Sequence, residues 1–252
     1  MTKTAVIILN CNLPDYTDML YESLKPYERN DYDLMVFDNG STPEGMSKYT
    51  TYRSEVNGFF GGGFEAARQI VLTDERYDSL LFMNNDLTVH PYNFVRALRN
   101  EMFDPTGNIV FDVVSPCFYN VEANGQCHWK TVHCFGNESI RTVPYVDFQS
   151  PLISRRLLSE IGPIHPTLMM GFGIDFHLAL FCKDRGYKLG VLDRMCILHH
   201  NSLTVKRGAA GINIQHYCQR AEAGQFDFFN NVIRRWDDYQ QLREEARNYT
   251  FL

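Results

Sequence analysis

A carboxylate follows directly on an apolar run in the first third of the chain, and this pairing points to cation chemistry. Residues 79–83 are largely apolar without alternation, which is typical of a strand buried on both faces of a parallel sheet. Asn84, Asn85 and Asp86 follow at once. Ligands of open α/β sheets bind beyond the carboxyl ends of the strands, so Asp86 is placed to hold a hard cation against a phosphate.

Two further stretches carry side chains that could share this site. Asp175 precedes an apolar helical pattern, and His199 and His200 follow another apolar strand. A carboxylate and an imidazole could take part in proton transfer or metal binding. The alternatives are that Asp175 only caps its helix and that the histidines are structural.

The elements before Asp86 predict how these groups are positioned. A β-rich run at residues 4–9, a helix through Leu24 and a second apolar run at residues 34–37 form a βαβ unit. The fold class is therefore α/β, with a Rossmann-like, doubly wound sheet. Asn10, Asn12 and Asp38 are then expected at its carboxyl edge.

A dense group of glycines lies between the second strand and the run that ends at Asp86. Residues 57–68 predict a glycine-rich loop that leads into a helix ending near Leu72, where the backbone and the helix N-terminus could meet an anion. A dinucleotide-binding site is the competing interpretation. It is disfavoured because its glycines would directly follow the first strand, where this chain has asparagines.

The middle of the chain predicts further elements and an insertion. Residues 91–101 have the spacing of an amphipathic helix, 109–114 predict a strand, and 155–160 a short helix. Residues 116–145 are polar, with Asn124-Gly125 as a turn signal, and predict a small antiparallel insertion on the acceptor side of the sheet.

Composition limits the classes of function. The chain has 252 residues, 44% hydrophobic and 21% charged, and a net charge of −6, which argues against a broad nucleic-acid-binding surface. No apolar run reaches the length of a membrane span, and no signal-peptide pattern is present. Seven cysteines favour reduced thiols, so a cytoplasmic protein is expected.

The C-terminal part repeats apolar residues at helical spacing between about Phe229 and Leu242. We divide the chain into a main domain at residues 1–215 and a helical extension at 216–252 that packs on it. The alternatives for the extension are a homodimer contact or a lid over the acceptor.

Taken in order, the motifs resemble those of GT-A-fold nucleotide-sugar glycosyltransferases, the large group that includes bacterial rhamnosyl- and galactofuranosyltransferases. The resemblance covers roughly residues 4–202 and rests on the order of its motifs, which are residues 6–12, 37–41, 57–63, 84–86, 171–175, 185–187 and His199.

The resemblance implies roles for individual residues. The family holds its nucleotide with the loop after the first strand, the position of Asp38, the glycine stretch and the motif before the metal carboxylate, which here correspond to Asn10, Asn12, Asp38, Asn57, Gly58, Gly62, Asn84 and Asn85. Asp86 would bind Mn²⁺ or Mg²⁺ bridging the diphosphate, and His199, or else His200, would complete the metal shell. Asn84 stands where the family usually has an aspartate.

The resemblance also implies a reaction. Asp175 would be the general base of an inverting transfer of a hexose or deoxyhexose, and Lys206 with Arg207 would fold over the diphosphate. A solvated surface pair is the alternative for Lys206 and Arg207. The family implies a UDP- or dTDP-sugar donor and a glycan or glycolipid acceptor, as in polysaccharide biosynthesis, with contact to the membrane only through the acceptor.

Two other functions stay open at this point. If Asp175 aligns with the later aspartate of the family's acidic motif, Gly173 occupies the position of the base. Together with Asn84, this alignment favours a non-catalytic sugar-nucleotide or glycan-binding relative. The third class is a transferase whose acceptor is hydroxylated DNA or a protein.

Overall fold

The computed structural model of the chain describes residues 2–28, 30–90, 93–120, 129–200, 203–208, 211 and 213–250. The strands are β1 Lys3–Asn10, β2 Tyr32–Asn39, β3 Thr50–Ser54, β4 Tyr77–Asn84, β5 Leu87–Val89, β6 Val113–Asn120, β7 Ile140–Val143, β8 Leu152–Ser154 and β9 Leu189–His199. The α-helices are α1 Pro14–Leu24, α2 Phe59–Thr73, α3 Phe94–Met102, α4 Arg155–Ile161, α5 Ile174–Arg185, α6 Leu203–Lys206, α7 Ile214–Asp227 and α8 Trp236–Asn248.

All the strands belong to one sheet in the order β3-β2-β1-β4-β8-β6-β9-β5, and β7 also pairs with β9. The strands β1, β2, β3, β4, β6 and β9 share one direction, while β8, β5 and β7 run against their neighbours. The carboxyl ends of β1, β2, β4 and β9 therefore meet at one edge, and the predicted α/β architecture with a mostly parallel sheet is confirmed.

The strands at the centre of the sheet are covered on both faces. Ala5, Val6, Ile7 and Ile8 of β1 are fully buried, as their unbroken apolar run predicts. Helix α1 packs on β1 and β2, α2 on β4 and α4, and α3 on β6 and β9. The predicted strand at 109–114 is largely wrong, because β6 begins only at Val113 and continues to Asn120.

The insertion after β6 is fastened to the sheet by a fully buried ion pair. Strand β7 pairs antiparallel with β9, as expected of the insertion, while the predicted turn at Asn124-Gly125 lies outside the described residues. Arg141 of β7 and Asp193 of β9 are 2.7 Å apart and both have fully buried side chains. The second carboxylate oxygen of Asp193 accepts hydrogen bonds from the backbone N–H groups of Phe135 and Asn137.

We expect Asp193→Asn to lower the free energy of unfolding by about 3–5 kcal/mol, because it leaves a buried guanidinium without its counter-charge. Urea unfolding measures this change. The control is Glu101→Gln, which breaks the half-exposed pair between Glu101 and Arg194 and should cost about 1 kcal/mol or less. Equal effects of the two variants would contradict the buried-pair argument.

The glycine stretch is helical rather than a loop, so that prediction is wrong. Helix α2 begins at Phe59, and Gly61 to Gly63 lie within it. The N–H of Gly61 donates to the carbonyl of Met169 at 2.8 Å, and a Cβ on Gly61 would lie 2.7 Å from Met169 Cα. These glycines therefore let the helix approach neighbouring backbone and side chains closely.

This packing predicts opposite effects for two adjacent substitutions. Gly61→Ala should lower the free energy of unfolding by about 1–3 kcal/mol, since its methyl group meets backbone that cannot yield. Gly62→Ala should be neutral or stabilising by up to about 1 kcal/mol, because its methyl would meet only the flexible end of Met169 at 3.3 Å. Urea unfolding of both variants tests the prediction, and a stable Gly61→Ala protein would refute it.

The C-terminal helices share the core of the sheet. Phe229, Tyr239 and Leu242 are buried in the same hydrophobic cluster as β1 and β4. The boundary at residue 215 and a homodimer contact of this extension stay predictions. Within the described ranges, no helix is both long and apolar enough to cross a membrane.

Candidate active site

A cavity of about 770 Å³ opens at the carboxyl edge of the sheet. Leu9 lies near the end of β1 and Cys11 directly follows that strand, while Asn39 ends β2, Asn84 ends β4 and His199 ends β9. The sheet therefore gathers side chains from four strand ends around one space. Its other walls come from the segments 57–60, 147–149 and 170–176 and from the C-terminal helices.

Asp86 and His199 form a buried pair at the floor of this cavity. Leu87, the first residue of β5, is the strand partner of His199 in β9, and this pairing brings the imidazole beside Asp86. The His199 Nε2 atom lies 3.5 Å from Asp86 Oδ1, and the backbone N–H of Leu203 donates to Asp86 Oδ2 at 3.0 Å. The side chain of His199 is 10% exposed and that of Asp86 is 4% exposed, so both are almost withdrawn from water.

The two groups stabilise one another's charged form. Burial acts to raise the pKa of Asp86, but the interaction with His199 and the Leu203 N–H outweigh it, and the pKa is lowered. Burial likewise acts to lower the pKa of His199, but the charges of Asp86 and Asp147 outweigh it, and the pKa is raised. The carboxylates of Asp86 and Asp147 therefore favour a positive charge at this position, which the protonated imidazole of His199 supplies.

The carboxylate of Asp86 and the imidazole of His199 are suitable ligands for a divalent cation. His199 Nε2 is buried and makes no hydrogen bond to any described residue, so a polar atom faces the pocket with its bonding capacity unused. An imidazole beside a carboxylate suits Mn²⁺ better than Mg²⁺. Among the described residues no group of three or more His, Cys, Asp or Glu side chains could hold a metal, so a cation here would need further ligands from a substrate.

The neighbouring histidine faces elsewhere. The ring nitrogen Nε2 of His200 lies 2.9 Å from the Thr88 hydroxyl, and its ring contacts Tyr16 edge-on. Of the two histidines that the sequence left open, His199 is the one that faces Asp86.

Asp175 lies in the same cavity, in the first turn of α5. Its Oδ2 accepts a hydrogen bond from the buried Tyr145 hydroxyl, and its Oδ1 accepts one from the N–H of Phe176 at 2.8 Å. Burial, followed by the charge of Asp147, raises the pKa of Asp175 to about 7, although its two hydrogen bonds act in the opposite direction.

Asp147 is a cavity carboxylate that sequence reasoning missed. It lines the cavity, and its charge acts on both Asp175 and His199. Gln149 bridges it to the end of β4, donating to Asp147 Oδ1 at 3.4 Å and accepting from Asn84 Nδ2 at 2.5 Å. A lone charge among the apolar residues 143–148 was the available signal.

Asn10 and Asp38 lie beneath the cavity, where they form hydrogen bonds to each other and to neighbouring side chains. Both are fully buried, and Asn10 Nδ2 donates to Asp38 Oδ2 at 2.8 Å, while Asn10 Oδ1 accepts from the Thr17 hydroxyl at 2.8 Å. Asn85 lines the cavity and donates to the same Thr17 hydroxyl at 3.0 Å. Asn10 and Asp38 do not line the cavity in this arrangement, whereas their neighbours Cys11 and Asn39 do.

The other predicted nucleotide residues form a turn network beside the cavity. Asn12 accepts from the N–H of Thr42, and Gly58 donates its N–H to Asn39 Oδ1. Asn57 lines the cavity and accepts from the Phe59 N–H at 2.8 Å. Gly58 and Gly62 are outside the cavity wall.

Lys206 and Arg207 lie on an exposed segment that is joined to the Asp86–His199 pair by a hydrogen bond. Leu203, which begins α6, is bound to Asp86, and Thr204 lines the cavity. Arg207 packs on Tyr16, with its guanidinium 5.1 Å from the ring centroid. Lys206 acts on the pKa of His199 by its charge, so it lies close to the cavity without lining it.

The C-terminal helices form the remaining wall. Tyr217 donates its hydroxyl to the carbonyl of Met170, and Trp236, Tyr239 and Arg243 of α8 face the cavity together with Trp129. The helical spacing in the sequence indicated the aromatic residues, but it did not indicate Arg243.

No protein-family model matches the sequence, and no curated protein matches it. Solved structures do resemble the fold. GalNAc-T7 with UDP, GalNAc and Mn²⁺ superposes with a TM-score of 0.60 at 12% identity, over 92% of this chain but only 57% of that one.

TarS residues 1–349 from S. aureus give a TM-score of 0.52 at 15% identity, over 98% of this chain and 81% of that one. TarS in complex with UDP gives 0.51 at 16% identity, with 92% and 73% covered. At such low identities these similarities establish the architecture alone: the chain has the GT-A fold.

Proposed function

We propose that the protein is a metal-dependent glycosyltransferase that moves a sugar from a nucleoside-diphosphate sugar to a hydroxyl group. The observation that carries the proposal is the buried Asp86–His199 pair, whose imidazole nitrogen is unused, in one cavity with Asp175. The presence of UDP in two structural neighbours favours a UDP-sugar, with dTDP as the related alternative.

Asp86 and His199 would hold Mn²⁺ or Mg²⁺ at the floor of the cavity. The cation supplies electrostatic stabilisation of the charge that develops on the leaving nucleoside diphosphate. Asn84, Asn85 and Asn57 line the same space and present amide groups suited to the polar donor. Lys206 lies close enough to His199 to act on it by its charge, and it would bind the diphosphate together with Arg207, which would leave its contact with Tyr16.

Asp175 would accept the proton of the attacking hydroxyl. As the acceptor oxygen bonds to the anomeric carbon, its proton passes to the Asp175 carboxylate and the bond to the diphosphate breaks, which inverts the configuration. A pKa near 7 suits this role because the carboxylate is both available and basic at neutral pH. Tyr145 and the N–H of Phe176 hold the carboxylate in place.

We infer that the acceptor is a glycan or glycolipid and that the transferred sugar is a hexose or deoxyhexose. Part of the cavity wall is aromatic, and Trp129, Phe172 and Trp236 keep at least partly exposed rings there. Aromatic faces suit the apolar faces of sugar rings, since they bury large areas with defined geometry.

Thermal unfolding with UDP, dTDP and GDP, each with and without Mn²⁺, tests the proposal. A ligand that binds only the folded state raises the midpoint by mass action. One nucleotide should stabilise the protein, and only with the metal. If no nucleotide shifts the midpoint, the protein does not bind a donor and the proposal fails.

A further inference from the structure

Arg243 stands out among the cavity residues because no carboxylate of the described structure neutralises its charge. Its side chain lines the cavity, its Nε atom is buried, and that atom makes no hydrogen bond to a described residue. No carboxylate in the described part of the chain lies within ion-pair distance of it. Other arginines of the C-terminal region do have partners: Arg235 pairs with Asp184, and Arg247 with Glu244.

The guanidinium lies on the same side of the cavity as Asp175. It is 5.5 Å from the Tyr239 ring centroid, and Tyr239 meets Phe176 edge-on at 5.1 Å. Phe176 directly follows Asp175 in α5. Arg243 therefore belongs to the wall of the expected base, whereas Asp86 and His199 form the floor at the strand ends.

The contact with Tyr239 satisfies only part of the interaction capacity of the Arg243 guanidinium. A cation over an aromatic ring gains about 0.5–2 kcal/mol, and the Tyr239 hydroxyl interacts with the guanidinium, but neither contact supplies a negative counter-charge. The five donors of an arginine match the two oxygens of a carboxylate or phosphate in a bidentate arrangement. A charge held at a cavity wall without a carboxylate partner is thus available for an anionic ligand.

We propose that Arg243 binds a carboxylate or phosphate group of the acceptor, so that the acceptor is an anionic saccharide, a sugar acid or a sugar phosphate. The inference rests on the proposed function and names the acceptor class of the same site. With its anionic group on Arg243 and its ring against Trp236, such an acceptor presents a hydroxyl towards Asp175.

Tryptophan fluorescence gives a direct readout, because the chain has two tryptophans, Trp129 and Trp236, and both line the cavity. The probes are methyl β-D-glucuronide and methyl β-D-glucoside 6-phosphate, with neutral methyl β-D-glucoside as the reference. Each is titrated with and without UDP and Mn²⁺. We expect at least one anionic probe to bind roughly ten- to a hundredfold more tightly than the neutral one, and the preference to weaken with salt.

Arg243→Gln should abolish the preference for anionic probes and leave the stabilisation by UDP with Mn²⁺ unchanged. Arg243→Lys should retain part of the preference for anionic probes. The matched control is Arg247→Gln, one helical turn further along α8, which should keep the preference. A carboxylate and a phosphate are distinguished by which anionic probe binds more tightly.

Three results would overturn the inference: equal binding of charged and neutral probes, an unchanged preference in Arg243→Gln, or loss of UDP binding in that variant, which would place the guanidinium on the donor. Failure of the proposed function looks different. In that case UDP with Mn²⁺ does not stabilise the wild type, whereas the charge preference is still measured without nucleotide.

Discussion

Asp86→Asn is expected to abolish the metal-dependent binding of the donor nucleotide. The substitution keeps the shape of the side chain but removes the charge that, with His199, faces the pocket. At a nucleotide concentration about 100 times its dissociation constant, the wild type should gain about 2.7 kcal/mol, which is roughly 5–10 °C in the unfolding midpoint, and the variant should gain none. Sugar transfer should fall on the order of a thousandfold, since the cation stabilises the leaving charge by several kcal/mol.

The adjacent histidines supply the matched comparison. His199→Ala should behave like Asp86→Asn, while His200→Ala should keep the metal-dependent shift, because its ring faces Thr88. A normal Mn²⁺-dependent shift in Asp86→Asn, or its loss in His200→Ala alone, would contradict the assignment of the metal pair.

Asp175→Asn is expected to slow sugar transfer without weakening the binding of the donor. Donor binding should persist, because Asp175 is held by Tyr145 and Phe176 and forms no hydrogen bond or ion pair with Asp86 or His199 in the described structure. Transfer should fall by roughly 10²–10⁴-fold when the proton acceptor is removed. Rates of transfer at saturating donor measure the loss, and the nucleotide-induced midpoint shift serves as the binding control. Near-normal turnover would refute the role of Asp175 as the base.

The pH dependence follows from the raised pKa of Asp175. Only the deprotonated carboxylate accepts a proton, so kcat/KM of the wild type should fall as the pH drops below about 7. Tyr145→Phe removes a hydrogen bond that holds this pKa down, so its acid limb should move to higher pH. An unmoved limb would show that another group controls the profile.

The same pKa makes a prediction about stability. Because the pKa rises from 3.8 in the unfolded chain to about 7 in the fold, the folded protein binds the extra proton between these values. This contribution to stability is therefore lost as the pH rises through that window, at a cost of up to about 4 kcal/mol above it. Relative to Asp175→Asn, the wild type should lose stability between about pH 4 and pH 7, as urea unfolding at a series of pH values would show.

Local patterns predicted the scaffold well. Apolar runs at β1, β2 and β4 predicted strands buried on both faces, and parallel strands leave their last residues at one edge. These runs therefore place the asparagines and aspartates at their ends at the correct edge of the sheet. The position of each element depends mainly on its own residues, which is why this part could be predicted.

The glycine stretch shows where local patterns mislead. Three successive glycines disfavour a helix by propensity, yet Gly61 and Gly63 are helical because their lack of side chains admits Met169 and Leu9. Tertiary contacts from distant segments outweigh the propensity of the local sequence there. No feature within residues 57–68 predicts the contacts with Met169 and Leu9.

The sequence by itself determined the α/β sheet, its functional edge and the residue types that could act there. The tertiary structure decided which of them meet: it turned His199 rather than His200 to Asp86, buried Asn10 and Asp38 beneath the cavity, and brought Asp147 and Arg243 into its walls. The physical reason is the range of the interactions. Strand burial and chain reversal are local, whereas the pairing of β5 with β9 and the docking of α8 join residues more than 100 positions apart.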